Sequence, residues 1–167
     1  RFGLPLDRIE VFEGDTAMVP IGTGTFGSRS IAVGGSAIHR AAEKISAKGK
    51  RIAAHLLEAS VADIAFESGR FAVAGTDRGV TFAEVARAAY VPHNYPLEEL
   101  EPGLQESAFY DPKNFAYSNG VHVCEVEIDP ETGVLELVRY SVVDDMGTVI
   151  NPMVAELDEA HEVAGVG

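Results

Sequence analysis

Positions 22–30, reading GTGTFGSRS, gather three glycines, four hydroxyls and one arginine. Glycines let backbone amides close in on a ligand. The Arg29 guanidinium can fork onto a phosphate, and a helix starting just downstream favours negative charge at its first turn. The chemistry this spells is a phosphate cradle. By itself the segment leaves open which phosphate.

Gly22, Gly24 and Gly27 also satisfy G-x-G-x-x-G, but a dinucleotide site needs a strand directly before the first glycine. Here residues 15–21 intervene with a proline, and no following strand ends in a ribose-binding acid. The wording resembles a kinase glycine loop as well, yet the lysine-bearing strand, the His-Arg-Asp loop and the Asp-Phe-Gly segment are absent. Other chemistry-bearing residues are scattered. His39 and His55 lie too far apart along one helix to share a ligand; His93 falls in a loop and His161 near the C-terminus. His122 and Cys124 share an apolar strand face, which reads as a satisfied core histidine and a buried, inert thiol. Asp144 and Asp145 are adjacent in a strand and so point to opposite faces, which prevents them from serving one site. No serine has a nucleophile-elbow context. The stretch contains no complete active site.

The elements that position the cradle follow from periodicity. Residues 8–13 alternate in a strand-like way and stop at Gly14-Asp15. Residues 15–27 read as a loop, and Ser28 or Ser30 can cap a helix. Apolar residues at three- and four-residue spacings from Ile38 to Leu57 predict one long helix over 31–58, with Gly49 as a point of interruption. Residues 63–67 and 70–74 form a hairpin about Ser68-Gly69. Thr81 and Glu84 form a capping box for a short helix. Residues 91–115, rich in proline and glutamate, read as a long crossing loop, either a linker or a subunit-facing segment. A second hairpin joins residues 121–128 to 134–143 through DPETG, one face core and one wet. The fold class is α+β: a mixed sheet with two β-hairpins, and one long and one short helix packed on it in two layers.

The 167 residues are enough for one domain, and 46% apolar with 23% charged residues describes a globular chain. A net charge of −13 argues against nucleic acid as a partner. Arg40, Lys44, Lys48, Lys50 and Arg51 cluster nonetheless, and their plain reading is a solvated helix face. One cysteine excludes an internal disulfide and multi-cysteine metal sites. No apolar run reaches membrane-span length and no signal-peptide pattern is present, so a cytoplasmic location is expected. Opening on Arg1 and entering a strand within a few residues, the chain reads as a piece of something longer.

Three segments carry a resemblance. They are Gly14-Asp-Thr leading into the 22–30 loop, the helix end KRIAAHLLE at 50–58, and VCEVEIDPETGVL at 123–135 running on to DDMGTVINPM at 144–153. In this order they resemble the molybdopterin-binding large subunit of the xanthine dehydrogenase, aldehyde oxidase and carbon monoxide dehydrogenase family. The resemblance covers about residues 5–156, with 157–167 a divergent tail. The Gly-Ser-Arg-Ser wording brings the chain closer to the bacterial carbon monoxide dehydrogenase large-chain branch.

The resemblance implies a fragment of a molybdenum-cofactor-binding domain. The parent would oxidise an aldehyde, an N-heterocycle or CO with water as oxygen source. It implies molybdopterin, in the cytosine dinucleotide form, and partners comprising an iron–sulfur subunit, an FAD-binding subunit and the rest of the large chain. It assigns cofactor contacts to Gly24, Phe26, Gly27, Ser28, Arg29 and Ser30, and a second loop to Gly147, Thr148 and Asn151. The family's upstream Gln-Gly-x-Gly-His segment and downstream Gly-Glu segment, which carries the catalytic base, do not occur here. Cys124 does not match the copper-ligating cysteine. The fragment is therefore expected to be inactive alone and to lack the cofactor. A non-catalytic assembly domain reusing the fold, and a stand-alone nucleotide-binding protein, are the alternatives.

Overall fold

The computed structural model describes residues 2–19, 21–22, 24–91, 93–114, 117–145 and 147–153. The chain divides into two compact units, Arg1–Pro112 and Lys113–Gly167. The first is a two-layer α+β unit. A π-helical turn, Ile31–Gly35, runs directly into helix α1, Ser36–Leu56. Strands β1 (Ile64–Glu67), β2 (Arg70–Val73) and β3 (Gly79–Thr81) follow, then helix α2, Phe82–Tyr90. The strands form an antiparallel sheet in the order β1-β2-β3.

Burial explains why these elements form. Ile52 and Ala53 from α1 with Leu57 at its C-cap, Ile64 and Phe71 from the sheet, and Val85 and Ala89 from α2 make one core. Phe66 and Phe71 face each other across β1 and β2 and stack at 4.1 Å. Gly49 does not interrupt α1: it is buried, and a Cβ there would lie 2.6 Å from Cζ of Phe71. The glycine admits the ring, and the packing gained outweighs its low helix propensity. At the β1–β2 turn Ser68 and Gly69 both have positive φ, as a two-residue hairpin loop requires. The capping box also forms: Thr81 Oγ1 accepts the Glu84 N–H at 3.2 Å, and the Thr81 N–H donates to Glu84 Oε2 at 2.7 Å. These bonds to the charged form hold the Glu84 carboxyl below the usual range.

The basic cluster on α1 has work beyond solvation. Lys44 Nζ donates to the Ser107 carbonyl at 2.6 Å, Arg40 to that of Phe109 at 3.2 Å, and Arg51 to that of Glu99 at 3.2 Å. The crossing loop is thereby strapped along the helix, with Tyr95, Leu100 and Leu104 buried beneath it. Burial pushes the Tyr95 phenol up, and its hydroxyl donates to the Glu101 carbonyl at 2.6 Å.

The second unit is built on a hairpin of β4 (Asn119–Ile128) and β5 (Leu135–Asp145), antiparallel with a bulge opposite Glu125/Val126. Its turn closes on Asp129, which accepts from the Glu131 N–H and the Thr132 hydroxyl; both lower its carboxyl pKa.

Three expectations give way. Residues 8–13 form no strand; a 3₁₀ turn, Leu6–Arg8, precedes irregular backbone, because an alternating sequence without a ladder partner has nothing to satisfy its amides. The strands form two antiparallel sheets, with no parallel pairing among the described residues. The second hairpin is exposed along nearly all of both strands. Among the described residues its unit has no other strand and no extended helix to cover it.

Candidate functional site

Among the described residues, 22 and 24–29 lie outside both sheets, and 24–29 lead straight into the helix. Gly24, Gly27 and Ser28 have positive φ, at 76°, 61° and 52°. The consecutive pair at 27–28 gives the φ signs of a type I′ turn, which reverses the chain so that residues 24–30 curl on themselves. Nothing lies within 4 Å of where a Cβ on Gly24 or Gly27 would stand. These glycines therefore serve backbone conformation and leave open space beside the amides.

Gly24, Phe26, Arg29, Ser30 and Val33 line a concavity of about 240 Å³. The Arg29 guanidinium stands over the Phe26 ring, 5.4 Å from its centroid, a cation–π contact that orients the charge. Ser30 Oγ donates to Thr25 Oγ1 at 3.0 Å and does not cap the helix, contrary to the expected role. Ser30 occupies the N-cap position without a side-chain capping bond, and Ser28, with its positive φ, precedes it. Helical bonding starts at the Arg29 carbonyl, which accepts from the Val33 N–H at 2.9 Å. The positive end of the helix thus adjoins the loop. The donor set is backbone amides, a guanidinium and hydroxyls, with no carboxylate among the lining residues. That chemistry fits an anionic phosphate group.

Two contributors escaped the sequence reading. Thr25 holds Ser30, and Val33 supplies an apolar wall. The π turn itself went unforeseen, although the Gly34-Gly35 pair at a helix start was a signal for irregular winding. A shallower concavity of about 400 Å³ lies farther along α1, lined among others by Ser36, His39, Arg40 and Tyr110. There the Arg40 guanidinium stacks 4.7 Å from the Tyr110 centroid.

Gly147, Thr148 and Asn151 belong to the second unit. The Gly147 N–H donates to Asp145 Oδ1 at 3.0 Å. Asp144 faces the other way and lies 3.4 Å from His122 Nε2, as adjacent strand positions require. His122 is thus a paired, partly exposed residue and not a core one, and Cys124 is exposed rather than buried. Both departures share a cause, the uncovered hairpin. His55 pairs with Asn94 at 2.9 Å, away from His39. His161 lies outside the described residues. Among the described residues no group of three or more His, Cys, Asp or Glu could hold a metal ion, and no helix is long and apolar enough to cross a membrane.

An α+β unit presenting an arginine-bearing glycine loop at a helix start offers donor chemistry suited to an anion. Comparison with known proteins makes the class specific. Residues 1–158 match the molybdopterin cofactor-binding domain family. The carbon monoxide dehydrogenase large chain of Hydrogenophaga pseudoflava is 47% identical over 98% of this chain and 21% of its own length. The nicotine 6-hydroxylase large subunit of Paenarthrobacter nicotinovorans is 36% identical over 92% of this chain and 19% of its own. Among solved structures, the Cu,Mo-CO dehydrogenase in its carbon monoxide reduced state aligns with a TM-score of 0.76 and 43% identity, covering 93% of this chain and 19% of that one. The chain belongs to the molybdopterin cofactor-binding domain family of molybdenum hydroxylase large subunits. It spans about a fifth of the length of the relatives it matches.

Proposed function

We propose that residues 1–167 are one part of a molybdenum-cofactor-binding domain and grip the anionic tail of a molybdopterin. The observation that carries this is the concavity where Arg29, steered by Phe26, meets Ser30 and Gly24 at a helix start. In this reading the amides of Gly24, Phe26, Gly27 and Ser28, with the side chains of Ser28, Arg29 and Ser30, hold the cofactor's phosphate end. Gly147, Thr148 and Asn151 form a second contact loop. When bound, the group supplies a molybdenum centre that takes electrons from a carbon centre, with water as the oxygen source. The chain's own residues bind and orient: Arg29 neutralises phosphate charge, and the left-handed turn keeps the amides free of side chains.

The parent, on this reading, is a cytoplasmic oxidoreductase acting on an aldehyde, an N-heterocycle or CO. It would pass electrons through an iron–sulfur subunit to an FAD-binding subunit, and use the cytosine dinucleotide form. The names of the relatives support an oxidoreductase parent with further subunits, and the concavity's donor set is compatible with a phosphate. These 167 residues alone are expected to be inactive, since the family's catalytic base does not occur among them. The test compares the full-length large chain, in its complex, with the 167-residue chain for molybdenum content and dye-linked oxidation of CO, aldehydes and N-heterocycles. Mild acid hydrolysis of bound cofactor should release cytidine monophosphate. The expected result is turnover by the complex alone; appreciable turnover by the 167-residue chain overturns the reading.

A further inference from the structure

The β4–β5 hairpin ends in a side-chain cluster that the cofactor reading leaves unused. His122 lies opposite Val142, so Tyr140 and Asp144 flank it diagonally on the same face. His122 Nδ1 is 3.1 Å from Tyr140 Oη, with the two rings edge to face at 5.9 Å. Nε2 is 3.4 Å from Asp144 Oδ1. The Nδ1–Tyr140 contact is a hydrogen bond whose direction follows the imidazole tautomer, and the longer Nε2–Asp144 approach is a charge contact when the ring is protonated.

Position 120 explains how the carboxylate gets there. Gly120 pairs with Asp144 in the ladder, and a Cβ on it would collide with the Asp144 carboxylate. The glycine is a slot through which Asp144 leans toward His122. The last rungs, Gly120↔Asp144 and Asn119↔Asp145, are made of residue types that are poor in strands. Unaided, this end should fray. The next step of the chain hangs from it: Asp145 accepts the Gly147 N–H on the opposite face.

We propose that His122 and Asp144, with Gly120 as their slot, form a latch that pins the end of the hairpin and so presents Gly147, Thr148 and Asn151. His122 is a positioning residue here. The bearing of the latch on the cofactor rests on the reading of that loop given above; the latch itself does not.

Hydrogen exchange on the full-length large chain in its complex tests this. His122→Phe keeps a ring but can make neither the Tyr140 bond nor the Asp144 contact. Gly120→Ala raises strand propensity while filling the slot. Both should speed exchange at 144–145 and 147–149 by about twofold to fivefold, the worth of one partly exposed charge contact, and leave the turn end at 126–137 unchanged. His122→Gln, whose amide can still donate to Asp144, should recover part of the loss. Adding Asp144→Asn to His122→Phe should cause no further loss. Slower or unchanged exchange in Gly120→Ala, or independent effects of His122 and Asp144, would overturn the latch. Cofactor content is read in the same samples. Faster exchange with cofactor content unchanged supports the latch and overturns the cofactor role of the loop.

Discussion

A positive φ is cheap for glycine and strained for a residue with a branched Cβ, and the cradle spends that difference at Gly27 (φ 61°) beside Ser28 (φ 52°). Gly27→Val should destabilise the turn by about 1–2 kcal/mol and straighten residues 26–29. The separation of Arg29 from Phe26 would then grow and cofactor content in the full-length chain should fall, while the thermal unfolding of the α1–sheet core stays near wild type. Retained cofactor in the Val variant would show that the turn does not shape the grip. The residue types of this site were readable from the chain alone: glycines, hydroxyls and an arginine name their chemistry. Their arrangement was not readable. That Ser30 would bond Thr25 instead of capping the helix depends on a loop conformation with no period to read.

At the scale of elements, local signals with a fixed spacing were legible and those needing a distant partner were not. The Ser68-Gly69 and DPETG turns and the Thr81–Glu84 box are each complete within a few residues, and all formed. Residues 8–13 carry strand alternation but no ladder, because alternation states a preference that only a neighbouring edge can satisfy. Gly49 shows the same limit from the other side: sequence alone counts it as a weak point, while Phe71 makes it a necessity. Gly49→Ala, which stabilises an open helix by about 1 kcal/mol, should here destabilise by about 1–3 kcal/mol through overpacking against the Phe71 ring, measured by urea denaturation. A stabilised variant would contradict the packing. The capping box adds a pH signature. Glu84 is more acidic folded than unfolded, so its contribution is present above the ordinary glutamate range and lost as pH falls through the lowered folded value. Glu84→Gln should keep α2 and flatten that acid-side loss of stability in denaturation curves between about pH 5 and 3; an unchanged acid slope would contradict the assignment.

For the whole molecule, the decisive fact is proportion. A chain spanning about a fifth of its relatives' length forms a packed first unit around Phe71, Ile52 and Val85 and an uncovered hairpin whose Val121, Val123, Ile128 and Val143 lie open. Sequence alternation suggested a core face for that hairpin, but alternation reports which side could be covered, and coverage belongs to whatever packs there. On the proposed reading, the anion grip acts in the assembled parent. The most direct measurement is molybdopterin content per folded large chain, purified in its complex, for wild type and Arg29→Ala. Losing one charge-assisted forked bond, about 1.5–3 kcal/mol, should weaken retention by about 10- to 100-fold with thermal unfolding unchanged. An Arg29→Ala chain as full of cofactor as wild type would contradict the anion grip.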